Sequence, residues 1–285
     1  MIEHLDLSAV AEEQPGGLVF ATVSGAHLYG FPSRDSDVDL RGAHLLPVEA
    51  LIGLREAEET RSRMWLRDGV EMDLVTHDLR KFARLMLRRN GYVLEQLLSP
   101  LVVRSGGTHA EPAALAPGLV TTHHAHHYRG FARTRWRLFE GNGELKALLY
   151  TFRALLTGIH LMRSGQVVAH LPTLTGTVGE APAYLGDLIA AKAEAEHGPA
   201  AGTDPERLRA DVEALHRVLD DAQSASRLPE AVTGAVHAAL HDVVVRARLE
   251  EPARLEEPAR LEEPARPEEP ARPEGAALPG ERVEG

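Results

Sequence analysis

The sequence predicts an α+β protein: a small mixed-sheet domain, then a helical bundle, then a disordered tail. Three observations carry that reading. Strand-type alternation is confined to about the first 110 positions, helical periodicity takes over from about Thr121, and a proline-bearing hexapeptide repeat starts at Glu250. The expected boundaries are residues 1–118, 119–249 and 250–285.

Taken in order, "GLVFATVSG" (Gly17–Gly25) is β-rich and ends in a turn. "DVDLRGAHLLP" alternates and reads as a second strand, "EMDLVTHD" as a third, and "VEALIGL" between them as a short helix. "HDLRKFARLMLRRNGYVLEQLLS" is helical and buries Phe82, Leu85, Met86, Leu94, Leu97 and Leu98. It breaks at Asn90-Gly91 and has Asp78 as its N-cap. Beyond Thr121, five segments with helical spacing, punctuated by Gly or Pro, run to Leu249. The tail "EEPARL EEPARL EEPARP EEPARP" has a proline in every copy and almost nothing to bury, so disorder is expected. A rigid spacer or partner-binding arm is the alternative for it.

Composition narrows the function classes. Of the formal charge of −11, the stretch Leu249–Gly285 carries −6 (11 acids, 5 bases), which leaves −5 for the other 248 residues. A uniform basic coat for nucleic acid is excluded; a local basic groove is not. There is no cysteine, hence no disulfide framework and no thiolate chemistry. No apolar run reaches 18 residues, and "MIEHLDLSAVAEEQPGG" has acids where a signal peptide needs bases. A cytoplasmic location without a membrane partner is expected. The oligomeric state stays open.

The chemistry concentrates in "SGAHLYGFPSRDSDVDLRG" (Ser24–Gly42). On a strand, Asp37 and Asp39 project from one face while Val38 points the other way. Two like charges so placed call for a cation between them. Converging carboxylates suit Mg²⁺, a hard ion that borrows further ligands from phosphates. The turn before them lets backbone N–H groups approach a phosphate closely. Asp73 in "EMDLV" supplies a third carboxylate, sharing a face with Glu71. Three carboxylates on neighbouring strands beside a glycine turn is the layout of two-metal phosphoryl or nucleotidyl transfer. A D-x-D triplet alone fits solvated edge-strand charges equally well, so the whole string has to carry the argument.

That string resembles the signature of the DNA-polymerase-β nucleotidyltransferase superfamily. Its S-G-x-H-x-Y-G…S-D-x-D-L-R-G form is similar to the RNA-repair-pathway DNA-polymerase-β family. The likeness continues through "MDLVTHDLRKFARLMLRRNGYVLEQLLSP" and "ELKALLYTFRALLTGIHLMRSG" and covers about two-thirds of the chain. It implies a nucleotidyltransferase domain ahead of the helices and Mg²⁺ as cofactor. It implies transfer of a nucleoside monophosphate from an NTP to a hydroxyl, with RNA as acceptor, and release of pyrophosphate. By the same resemblance Asp37 and Asp39 bind two Mg²⁺ ions, and Asp73 ligates the ion that activates the attacking hydroxyl. Gly25 allows the turn that holds the triphosphate, with Ser24, Ala26 and Ser36 beside it. The chain departs from the family at Ala26, where serine is usual, and at Tyr150, where histidine is common. A protein or small-molecule acceptor, or a nucleotide-binding module without catalysis, are the competing functions.

Other residues carry paired readings. Lys146, Tyr150 and Arg153 share a helix face; they either serve the nucleotide, with Lys146 on its phosphates and Arg153 in support, or form a solvated face with Tyr150 half-buried. Arg41 either contacts phosphate or pins the carboxylates. His27 and Tyr29 are placed to shape a nucleotide pocket, while Glu95 reads as structural. Arg129, Arg133, Arg135 and Arg137 lie among Tyr128, Phe131 and Trp136; snorkelling arginines on an amphipathic helix are favoured over a phosphate-tracking stripe. Arg80, Lys81, Arg84, Arg88 and Arg89 form a second basic run. "HHAHH" (His123–His127) is read as an exposed connector in preference to a zinc site, because no matching ligands accompany it.

Overall fold

Five strands build one sheet: β1 (Leu18–Val23), β2 (Val38–His44), β3 (Thr60–Arg67), β4 (Val70–Asp78) and β5 (Val102–Arg104), in the spatial order β3-β4-β2-β1-β5. β2 and β4 run parallel and the other neighbours antiparallel, so the sheet is mixed, as the sequence predicts. The structure is a computed structural model that describes residues 5–14, 17–194 and 204–250. The repeat tail beyond Glu250, expected to be disordered, lies outside the described residues.

A parallel pair needs a crossover. The chain makes it through α3 (Val48–Ile52) and β3. β3 is a strand that the sequence analysis does not anticipate, because Arg61, Arg63 and Arg67 interrupt any apolar alternation. Its pairing is set by the turn instead. Asp68 and Gly69 both have positive φ (52° and 81°) between the paired residues Arg67 and Val70. That is the two-residue hairpin geometry for which Asp-Gly is the preferred sequence.

The two faces of the sheet bury different things. Val38, Leu40, Met72 and Leu74 point one way and pack with Val23 against Leu5 and Val10, the latter on α1 (Leu7–Glu12). On the opposite face, Phe20 and Ala43 join an apolar cluster with Leu28 of α2 (Gly25–Tyr29), Phe82 of α4 (Leu79–Leu87) and Leu94 of α5 (Gly91–Leu97). This cluster runs on without interruption into the helical half, through α6 (Gly107–Leu119), α7 (His124–Asn142) and α8 (Leu145–Ser164) to α9 (Leu171–Thr177), α10 (Leu185–Glu194), α11 (Pro205–Ser224) and α12 (Gly234–Glu250). α8 is buried nearly all round and forms the axis of the bundle.

Local chemistry explains most helix ends. Asp78 Oδ1 accepts from the Arg80 N–H at the start of α4, and Asn90 Oδ1 accepts from the Tyr92 N–H at the start of α5. The expected break at Asn90-Gly91 is therefore a cap. α6 is unanticipated, since Pro112 and Pro117 lie inside it. It is held by burial of Ala116 and Leu119. The histidine tract is not an exposed connector: His124 and Ala125 are fully buried at the start of α7. Among the described residues, no cluster of three or more His, Cys, Asp or Glu has a metal-holding arrangement. Nor is any described helix long and apolar enough to cross a membrane.

Buried histidines give the fold an acid-side weakness. Burial pushes His44 down to about 4, aided by the Arg61 charge. It also pushes His124 down to about 4, against a backbone hydrogen bond from Thr121. A depressed histidine leaves its stabilising contribution intact above the unfolded value near 6.5 and loses it as pH falls towards the folded value. The expected loss is about 3 kcal/mol per histidine by pH 4. Urea unfolding at pH 7.5, 6 and 4.5 measures it. The His44→Asn, His124→Asn double variant should show a flatter pH dependence.

Candidate active site

The site grows from the join between β1 and α2. Ser24 ends the strand in an extended conformation, and its N–H donates to the Asp39 carbonyl at 2.8 Å. Gly25 then turns the chain with φ +61°. A Cβ on Gly25 would lie 1.7 Å from Asp39 Oδ2, so only glycine lets the backbone pass this close to the carboxylate. Gly25→Ala is expected to displace Asp39, to cost about 1–2 kcal/mol from the left-handed backbone alone, and to reduce catalytic turnover at least tenfold. Parallel thermal melts and turnover assays check both effects.

Asp39 and Asp73 are direct neighbours in the parallel β2/β4 register. They share the sheet face that carries the helical bundle, while Val38, Leu40, Met72 and Leu74 face α1. Asp37 lies just ahead of β2, half-buried. Asp39 and Asp73 thus stand side by side, whereas Asp37, expected on the strand, precedes it and reaches Asp39 through its charge. Burial, together with the charges of Asp37 and Asp73, raises the Asp39 carboxyl to about 6, although Arg41 and Lys146 pull the other way. Lys146, in the first turn of α8, is therefore within electrostatic reach of the carboxylates.

Between Asp39 and Asp73 stands Arg41. Its Nη2 donates to Asp39 Oδ1 at 2.5 Å and to Asp73 Oδ2 at 2.7 Å. Its Nη1 donates to the main-chain carbonyls of Asp73 at 2.6 Å and Leu40 at 2.9 Å. Burial works against its charge, but Tyr92, Asp39 and Asp73 more than offset this and hold it firmly protonated. Of the two sequence readings of Arg41, this is the pinning of the carboxylates. Charge-assisted hydrogen bonds contribute about 1.5–3 kcal/mol each, so the guanidinium is a fixed part of the site floor.

Other expected site residues are placed less directly. Ser24 Oγ is buried and has no hydrogen-bond partner among the described residues. Ala26 is 2% exposed within the apolar cluster, so the methyl in the usual serine position faces the core. Ser36 Oγ accepts from the Ser33 N–H at 2.9 Å and fastens the loop that leads into β2. Tyr150 packs edge-on against Tyr29 and Phe31, both at 5.4 Å. Its hydroxyl is raised by burial and then by the Asp39 charge. Arg153 is not brought to them. It is 2% exposed, its Nη1 meets Glu95 Oε1 at 2.6 Å, and its guanidinium lies 4.1 Å over the Tyr29 ring. Glu95 Oε2 in turn accepts from the Tyr29 hydroxyl at 3.1 Å, which makes Glu95 the structural residue the sequence suggests.

One residue at the site, Tyr92, is not anticipated by the sequence, and one, Arg135, is placed by it only within a group. Tyr92 hydrogen-bonds Arg41; its only signal is its place in the first turn after the Asn90 cap. Arg135 lies 5.1 Å over both the Phe131 and Tyr150 rings. Arg135 thus lies along aromatic rings, in keeping with the favoured reading of its group, while Arg129 ties α7 to α11 through Asp220 and Gln223. The second basic run is partly structural too, since Arg80 pairs with Glu59.

A glycine turn packs against the second carboxylate of the D-x-D segment, and Asp73 stands beside it on a parallel strand, which is the arrangement that the resemblance to the DNA-polymerase-β superfamily implies. Residues 2–246 match the RNA repair pathway DNA polymerase beta family. The chain belongs to that family. It is 34% identical over 154 residues to the uncharacterized protein MJ0002 of Methanocaldococcus jannaschii, a match covering 52% of this chain and 61% of the relative. It is 30% identical over 112 residues to the uncharacterized protein YcgL of Bacillus subtilis, covering 37% of this chain and 40% of the relative. The matched region thus spans less than two-thirds of each relative. A nucleotidyltransferase-like protein from Exiguobacterium sibiricum 255-15, of known crystal structure, is similar over 76% of this chain and 72% of its own, at 14% identity and a TM-score of 0.29.

Proposed function

We propose that the protein is a Mg²⁺-dependent nucleotidyltransferase that moves a nucleoside monophosphate from an NTP to a hydroxyl of RNA and releases pyrophosphate. The observation that carries the proposal is the contact between Gly25 and Asp39, because a backbone turn packed on a strand carboxylate brings N–H donors and an acidic ligand to one place. The donors are of the type a hard cation takes, since the carboxyls are oxygen ligands, and burial together with the Asp37 and Asp73 charges raises Asp39. Asp37, Asp39 and Asp73 are the residues that would hold Mg²⁺, and the family resemblance implies two such ions. When bound, Mg²⁺ supplies positive charge that stabilises the transferring phosphoryl group and the departing pyrophosphate.

The remaining roles belong to the chain itself. Gly25 orients the triphosphate on backbone N–H groups, with Ser24, Ala26 and Ser36 shaping the turn and the loop around it. Lys146 approaches from α8 and neutralises phosphate charge. Arg41 fixes Asp39 and Asp73, and Tyr150 walls the pocket, supported by the Tyr29–Glu95–Arg153 group behind it. In this division of labour residues 1–118 supply the carboxylates and residues 119–249 close the nucleotide against them.

The test is incubation with each α-labelled NTP and Mg²⁺ in the presence of separate RNA and protein pools. Label entering RNA supports the proposal. Label entering the protein pool moves the acceptor to a side chain, and nucleotide binding without label in any product contradicts catalysis.

A further inference from the structure

We propose that the Arg41 guanidinium is a built-in cation that takes the place of one of the two metal ions, so that the site accepts a single divalent ion. The inference rests on the nucleotidyltransferase reading and sharpens it. Neighbouring carboxylates ask for positive charge between them, and between Asp39 and Asp73 the chain provides it. One nitrogen of Arg41, Nη2, bridges an oxygen of each.

The arrangement is built to stay. The second terminal nitrogen, Nη1, donates to two main-chain carbonyls, Leu40 and Asp73, which move only if the strands move. Tyr92 adds a further hydrogen bond from α5. Only 11% of the Arg41 side chain is exposed, so a displaced guanidinium would leave buried acceptors without a donor. An ion that replaced it would have to restore all of these contacts. Arginine also stays charged at any working pH, unlike a lysine in the same surroundings.

Among the described residues Arg41 makes no ion pair with Asp37, whose charge adds to the load on Asp39. Arg41 leaves the Asp37–Asp39 side of the cluster open, with Lys146 a second cation in electrostatic reach of Asp39, and that is where the single ion belongs. Asp73 becomes a residue that orients Arg41 and, through it, Asp39. Arg41 is a positioning residue that brings a fixed unit of charge to the site.

Counting bound ions tests the idea without any turnover. The full-length protein is titrated with Mn²⁺, and free ion is followed by its electron paramagnetic resonance signal. Wild type should bind one ion per chain and lose it in Asp37→Asn. Arg41→Met removes the resident charge and should bind two; Arg41→Lys, the milder change, should stay at one. Two ions in the wild type, or one ion in a folded Arg41→Met protein, overturns the inference and leaves the nucleotidyltransferase reading standing. If Arg41→Met does not fold, the wild-type count and Arg41→Lys decide. No bound ion in the wild type, or a count that neither Asp37→Asn nor Asp39→Asn changes, defeats the carboxylate reading and this inference with it.

Discussion

Asp39→Asn is expected to reduce nucleotidyl transfer at least a thousandfold while leaving the metal-free protein as stable as the wild type, or more so. Loss of activity follows from removing a carboxylate at the centre of the site. The stability half of the result is more discriminating. Asp39 is raised to about 6 by burial and by its two acidic neighbours, with Arg41 only partly compensating. A raised carboxyl is best tolerated while protonated: its stabilising contribution is complete below the unfolded value and is lost as pH rises through the folded value. At pH 7.5 the wild type therefore carries a burden of up to about 2–3 kcal/mol. Asparagine escapes it and still offers an oxygen to Arg41. Melts in EDTA at pH 7.5 and pH 4 measure this, and the advantage of the variant should shrink at the lower pH. A large loss of stability at pH 7.5 would make Asp39 a structural residue.

Arg153→Met is expected to destabilise the fold by about 3–5 kcal/mol, the usual consequence of stranding one partner of a buried ion pair. Arg153 and Glu95 have side chains only 2% and 1% exposed, and their contact at 2.6 Å lies behind the aromatic wall of the site. The double variant Arg153→Met, Glu95→Gln should recover part of the loss, since no full charge is then left unpaired. Urea unfolding of the two singles and the double gives the coupling directly. Were Arg153 a nucleotide ligand, Arg153→Lys would raise KM and leave the melting temperature alone. The structure predicts the reverse order of effects.

How much of this was legible in the sequence depends on the range of the forces involved. The D-x-D strand, the parallel partner carrying Asp73, the cap at Asp78 and the break at Asn90 are local patterns, and each lies where spacing or capping chemistry places it. β3 was not legible because its arginines mask the alternation, although Asp68-Gly69 was a hairpin signal in plain view. α6 was hidden by two prolines that burial of Ala116 and Leu119 overrides. At the site, Arg41 is in phase with Asp39 on β2, so its approach to that carboxylate followed from periodicity. What it would choose there did not, because the choice depends on Asp73 and Tyr92, 32 and 51 residues further along. Arg153 misled for the same reason. Its helix phase points with Lys146 and Tyr150, but the acid that captures it, Glu95, comes from a different helix.

The central claim is transfer of the α-phosphoryl group with its nucleoside, and dual labelling under single-turnover conditions addresses it most directly. Two parallel reactions contain RNA, Mg²⁺ and ATP labelled at either the α- or the γ-phosphorus. The account predicts that α-label enters RNA, that γ-label leaves as pyrophosphate in equal amount, and that Asp39→Asn stops both. Transfer of the γ-label to any acceptor, or α-label transfer that survives Asp39→Asn, would contradict it.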